Sequence, residues 1–289
     1  MLAVVPRLPR FLLLPLQYAT TCLCFTVMRR ERRAVQRNLT RVTGRTGFAN
    51  FILSYRLFFN FSRFMVAYAE LGKLQIERFR HRVDGLESAQ RSIETALAGG
   101  NGAILLTMHL GHWDLGLKLL SGLNRAVHVV MMSEDLPEVS RYADEARRFP
   151  GLQVHQTGSS QLLAVDLMTA LRRGELVAIQ ADRPAGNAVM DVPFFGAEAP
   201  LPTGPVILAM ATGAPILPVF VLFSGGIRYR VLMLPPLRFD RVRGDGGAAL
   251  QTAMERIAAV MESVVSHHPD QWFNFFDVWP QPGEAGHDA

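Results

Sequence analysis

Between residues 103 and 181 the chain alternates short apolar runs with longer amphipathic stretches, and that alternation restricts its fold more than any other feature. Strands are expected just before His109, at 126–132, at 152–155 and at 176–181, with helices near 138–148 and at 161–172 between them. Strands that trade places with helices in this way bury both faces of a sheet, so the chain belongs to the α/β class. Further strands are expected at 215–222 and 228–234, the latter pair as a hairpin, followed by a long amphipathic helix over 248–267.

The flanks add less regular elements. An aromatic helix is expected over 48–69, a short strand at 83–86 and a helix at 88–97 that stops at Gly99-Gly100. The Pro-rich stretch through 193–202 reads as a long loop. Thr203 then suits an N-cap, with Pro205 in the first turn of a helix that Gly213 ends. With 289 residues and 49% hydrophobic content the chain can bury one large core.

Charge is distributed unevenly. The formal net charge is +5, yet residues 1–45 hold nine arginines against one glutamate, leaving 21 basic and 24 acidic residues in the remainder. A nucleic-acid binder spreads its basic residues over a folded face, whereas this excess flanks the uncharged run 11–28, which points to a membrane surface. Residues 1–45 are therefore expected to form a membrane anchor with a basic juxtamembrane segment, and 46–289 the main domain. The run either spans, with the arginines on the cytoplasmic side, or lies in the headgroups as an interfacial helix. Cys22 and Cys24 both fall inside it and give the body of the chain no disulfide framework.

Chemistry is expected where the apolar run Ala103-Ile-Leu-Leu-Thr-Met ends in His109 and a carboxylate, Asp114, follows five residues later. On a continuous helix two such positions point about 140° apart, so they meet only if the chain bends between them, and Gly111 supplies that bend. A histidine oriented by a carboxylate is a general-base pair. No G-x-S-x-G is present and the two thiols lie far away, so the attacking hydroxyl should come from a substrate. Two other readings stay open: a metal-dependent hydrolase using His109, His112 and Asp114, and a membrane scaffold without catalysis.

Taken together, the basic apolar N-terminus, the run at 33–39, His109-Leu-Gly-His-Trp-Asp114, Gln180-Ala-Asp182, Val192-Pro-Phe-Phe-Gly196, Pro202-Thr-Gly-Pro205, Gly213-Ala-Pro-Ile-Leu-Pro218 and Pro269-Asp-Gln-Trp272 resemble the bacterial lipid A biosynthesis (late) acyltransferases of the lysophospholipid acyltransferase superfamily. The resemblance implies a single glycerolipid-acyltransferase-like domain with a mostly parallel central sheet, plus an N-terminal membrane-anchoring helix. It implies transfer of a fatty acyl group from acyl carrier protein or coenzyme A to a hydroxyl of a lipid or glycolipid, at the cytoplasmic face of the bacterial inner membrane, with no bound cofactor or metal and no nucleic acid. His109 would be the base and Asp114 its orienter, where the family more often has glutamate. Arg148, or Arg147 beside it, would polarise the thioester carbonyl or hold phosphate. Asp182, Arg183, Thr203 and Gly204 would face the acceptor, with Arg183 standing where glutamine is usual. Phe194, Phe195, Phe58 and Phe59 would border the acyl groove. The Glu134-Asp135-Leu136-Pro137 stretch replaces a more basic segment of the family, which argues against a doubly phosphorylated acceptor.

Overall fold

The apolar runs become strands buried on both faces. The computed structural model describes residues 10–123, 125–131, 149–157, 162–184, 188–240 and 247–279. Nine strands are defined among them: β1 (Val83–Asp84), β2 (Ala103–Thr107), β3 (Val127–Met131), β4 (Leu152–Gln156), β5 (Leu176–Gln180), β6 (Val189–Phe194), β7 (Ala197–Pro202), β8 (Ile216–Phe223) and β9 (Tyr229–Met233). Seven form one sheet in the order β1-β9-β8-β2-β5-β3-β4. From β8 to β4 every pairing is parallel, while β9 runs antiparallel to β8 and β1 parallel to β9.

The helices are α1 (Arg10–Val27), α2 (Arg29–Thr43), α3 (Gly47–Leu71), α4 (Ile76–Phe79), α5 (Leu86–Leu97), α6 (Trp113–Leu120), α7 (Leu163–Arg172), α8 (Gly204–Thr212) and α9 (Gly247–His267). Alternation along β2 divides the interior. Ile104 and Leu106 join Leu167 and Leu171 of α7, Val206 and Ala209 of α8 and Met254 and Ile257 of α9 in one core. Ala103 and Leu105 point the other way, toward Ile93 and Ala96 of α5 and Leu117 of α6. Side chains of period two cannot do otherwise on a strand covered on both sides. The expected helix near 138–148 lies outside the described residues.

Two expectations are corrected. Residues 193–202 are not a loop: β6 and β7 pair antiparallel in a register that sets Val192 against Ala199, and Phe195-Gly196 makes the turn with both φ angles positive, at 50° and 74°. Val192, Phe194, Ala199 and Leu201 are fully buried, and the prolines are tolerated because this two-stranded ribbon is all edge. The second concerns the spanning placement of residues 11–28, one of the two expected for the anchor. No helix among the described residues is long and apolar enough to cross a membrane. Helix α1 packs along α3 instead, Tyr18 stacking on Phe59 at 4.6 Å and Phe25 meeting Phe51, Tyr55 and Phe58 edge-on. Helix α2 is tied to the C-terminal segment by the Arg37–Asp277 ion pair and by Asn38, whose amide donates to the Asn274 and Phe276 carbonyls.

Candidate active site

The turn after β2 is clamped from both sides. Its main chain is held by Gly111 N–H donating to the Gln271 carbonyl at 2.9 Å, His112 N–H to the Val221 carbonyl at 2.7 Å, and Phe273 N–H to the His109 carbonyl at 2.8 Å. Gln271 fixes the clamp to β8 by pairing its side-chain amide with the N–H and carbonyl of Phe223. Gly111 adopts φ +67°, and an added Cβ would stand 2.1 Å from the Val221 carbonyl oxygen. Only glycine fits that approach.

His109 therefore projects from a rigid strand end, and the carboxylate that holds it is Asp182. Asp182 Oδ1 accepts from the His109 main-chain N–H at 3.0 Å and lies 2.9 Å from Nδ1 of the ring. A carboxylate this deep can only accept, so Nδ1 carries the proton and the Nε2 lone pair is left for an incoming group. Oδ2 accepts from Trp272 Nε1 at 3.0 Å and Asn274 Nδ2 at 3.1 Å. The Asp182 side chain is wholly buried while that of His109 keeps 17% exposure, enough for a substrate to reach the ring. Burial alone pushes the Asp182 carboxyl up, but the charge and hydrogen bonds of His109, with Arg183 nearby, outweigh it and hold the group below the usual carboxylate range.

This corrects the expected pairing of His109 with Asp114. Strands β2 and β5 are hydrogen-bonded neighbours with Thr107 opposite Gln180, so the residues two places further on, His109 and Asp182, face each other above the sheet. Asp114 is buried in the first turn of α6, where a negative charge suits the free N–H groups of the helix start. Arg183, expected near the acceptor, donates from Nε to Asn274 Oδ1 and from Nη2 to the Phe273 carbonyl, which steadies the segment that holds Asp182. Arg147 and Arg148 lie outside the described residues. Thr203 does not cap α8 with its side chain; its hydroxyl donates to the Ala188 carbonyl, and Gly204 opens the helix. Sequence reasoning missed Trp272 and Asn274, although the density of aromatic residues at 269–279 signalled a segment docked on the core.

His112 is buried against Phe64, Phe223 and Tyr229, and its Nδ1 accepts from the Leu115 N–H at 3.3 Å as the N-cap of α6. With His112 in that role, the grouping of His109, His112 and Asp114 around a metal is not formed: among the described residues no cluster of three or more His, Cys, Asp or Glu is placed to hold one. Burial pushes His112 from 6.5 down to about 3. The unfolded chain thus binds a proton that the fold excludes between about pH 6.5 and 3, so this group lowers stability as pH falls through that window and has no effect above it. The slope is about 1.4 kcal/mol per pH unit inside the window. His112→Asn keeps a capping acceptor and is expected to flatten the pH dependence of urea unfolding just below pH ~6. An unchanged slope would assign the dependence to another group.

A narrow apolar cavity of about 70 Å³, open to solvent on one side, lies between the sheet and helices α5 and α6 and extends to Thr107, Gln180 and Trp113. The Trp113 ring stands 5.3 Å from that of His109. The cavity exists because Ala89, Gly116 and Ala178 leave space that larger side chains would fill. None of the four phenylalanines expected at an acyl groove lines this cavity. Phe194 is fully buried against Trp272 and Trp279, Phe195 packs on Phe194 and Trp279, Phe58 is buried between Phe25 and Phe275, and Phe59 lies on Tyr18.

A base with a held tautomer beside an apolar cavity suits transfer of a long apolar group to a hydroxyl. The family model described as "Bacterial lipid A biosynthesis acyltransferase" matches residues 1–280. A phosphatidylinositol mannoside acyltransferase of Mycobacterium tuberculosis is 27% identical over 225 residues, covering 76% of this chain and 68% of the relative. Its namesake in Mycolicibacterium smegmatis is 30% identical over 189 residues, covering 64% and 59%. Among solved structures, the 1-acyl-sn-glycerophosphate acyltransferase PlsC of Thermotoga maritima aligns with 81% of this chain and 98% of its own at 14% identity and a TM-score of 0.35.

Proposed function

The chain belongs to the bacterial lipid A biosynthesis acyltransferase family, and from that premise we propose that it moves a long-chain fatty acyl group from an acyl thioester to a hydroxyl of a membrane glycolipid. It is an acyltransferase. The observation that carries the finer reading is the His109–Asp182 pair beside an apolar cavity. His109 Nε2 takes the proton of the acceptor hydroxyl, whose oxygen attacks the thioester carbonyl. The tetrahedral intermediate collapses with release of the thiolate, which regains the proton from the imidazolium. Asp182 stabilises that imidazolium and fixes its ring. The donor thiol belongs to acyl carrier protein or coenzyme A. The relatives named for phosphatidylinositol mannoside favour a mannosylated phosphoinositide or a similar sugar lipid as acceptor.

The protein meets the membrane by lying on it. Leu14, Leu23 and Val27 of α1 and Phe48, Phe51 and Ile52 of α3 expose large apolar side chains, and the exposed Arg29, Arg30 and Arg33 begin α2. Apolar side chains beside arginines fit the interface of an anionic bilayer, each arginine contributing about 1 kcal/mol near the surface.

The test is acyl transfer on anionic vesicles that contain mannosylated phosphoinositide or simpler hydroxylated lipids, with long-chain thioesters of both carriers and mass spectrometry of the product. The protein should float with the vesicles and acylate a lipid. No transfer to any acceptor would sink this reading. Ala178→Leu fills the cavity next to Leu105 and Val129. It is expected to lower kcat/KM for the longest accepted chains by about 10- to 100-fold while sparing short ones. Equal effects on all lengths would remove the acyl chain from this cavity.

A further inference from the structure

The cavity that the proposed function assigns to the acyl chain carries one polar group that its apolar walls do not explain. Gln180 closes β5, and its Nε2 is buried with no hydrogen-bond partner. Gln180 shares a face with Ala178, two residues before it, and both line the cavity. Opposite it in register on β2 is Thr107, which also lines the cavity and shares a face with Leu105. An amide and a hydroxyl thus stand side by side at one end of a space lined mainly by apolar side chains, where the other amide, Gln90, accepts a hydrogen bond from Arg80.

A buried N–H without a partner is costly, and a native fold rarely keeps one unless something else satisfies it. A ligand oxygen would suffice. Thr107 and Gln180 each precede a member of the His109–Asp182 pair by two residues, a step of about 6.6 Å along a strand. An acyl chain with its carbonyl at His109 brings its first few carbons to that level.

We infer that Gln180, with Thr107, recognises an oxygen borne on the first few carbons of the acyl chain, so that the protein selects hydroxylated over plain acyl donors. Gln180 is in this sense a specificity residue: it touches the chain and takes no part in the proton transfer at His109. The selectivity follows from asymmetry. A hydroxyl satisfies the amide, whereas a methylene at the same level leaves it unpaired against the chain.

The test uses the full-length protein and two probes of equal length, tetradecanoic acid and 3-hydroxytetradecanoic acid, competing against a fluorescent fatty acid. The hydroxylated acid should bind about tenfold more tightly or better, the factor that corresponds to one satisfied hydrogen bond. Gln180→Leu should erase that advantage, and Thr107→Val should reduce it. Gln180→Met serves as a second variant should leucine disturb the fold. In transfer assays the ratio of kcat/KM for hydroxylated over plain thioesters should fall in the same variants. Equal binding of the two acids, or a preference that survives in Gln180→Leu, would overturn the inference while leaving the acyltransferase reading intact. Equal loss of transfer on both donors would also overturn it, by assigning the amide to the thioester carbonyl. Binding of neither acid would remove the acyl chain from this cavity and take the inference with it.

Discussion

Asp182→Asn is expected to lower kcat/KM for acyl transfer by about 10²- to 10⁴-fold. The carboxylate accepts four hydrogen bonds, two from His109 at Oδ1 and one each from Trp272 and Asn274 at Oδ2. An asparagine offers one accepting oxygen and an NH₂ that must face donors. If the oxygen stays with Trp272 and Asn274, the NH₂ confronts Nδ1 and drives the imidazole proton to Nε2, where it removes the lone pair needed by the base. If the amide turns over, two buried donors lose their acceptor. Stability should fall by about 3 kcal/mol in either case, because one side of a buried network is left unmatched. A downfield Nδ1 proton resonance of His109 should be present in the wild type and in Asp114→Asn but lost in Asp182→Asn. His109→Ala should cost as much as the double variant His109→Ala/Asp182→Asn, because the pair acts as a unit. Full activity in Asp182→Asn, with the fold intact, would sink the assignment of the orienting carboxylate.

Gly111→Ala is expected to destabilise the protein by more than about 4 kcal/mol and to remove activity with it. The new Cβ would sit 2.1 Å from the Val221 oxygen and 3.0 Å from its carbon, and both are main-chain atoms of a central strand. Relief requires the turn to retreat, which breaks the His112–Val221 and Gly111–Gln271 bonds that aim His109. Gly196→Ala provides the contrast. Its φ of +74° is as unusual, but nothing lies within 4 Å of an added Cβ. Only the backbone term remains there, about 1 to 2 kcal/mol. Urea unfolding of the two variants separates strain from collision, and similar losses in both would show that the close approach to Val221 is unimportant.

Much of the site was visible in the linear order of residues. The apolar run into His109, the glycine two places on and the carboxylates at 114 and 182 all stood out, because burial of a strand and a bend at its end are local properties. The pairing of His109 was misread for the same reason. Asp114 is near in sequence, whereas Asp182 becomes a neighbour only when β5 docks beside β2. The β6–β7 hairpin was misread as a loop because its prolines outweighed the alternation of Val192, Phe194, Ala199 and Leu201. Aromatic residues suggested an acyl groove, yet Phe194 and Phe58 fill the space they occupy, and the cavity opens among Ala89, Gly116 and Ala178.

By itself the sequence determined the class of fold and the strand that presents His109, since both follow from patterns that span a few residues. Only the tertiary structure decided that Asp182 holds the imidazole, that Trp272 and Asn274 hold Asp182, and that α1 lies along α3 rather than standing apart as a membrane-crossing helix. Each of these depends on which distant segments become neighbours. Strand order and helix docking settle that by burying apolar surface over the whole domain, and no local spacing encodes it.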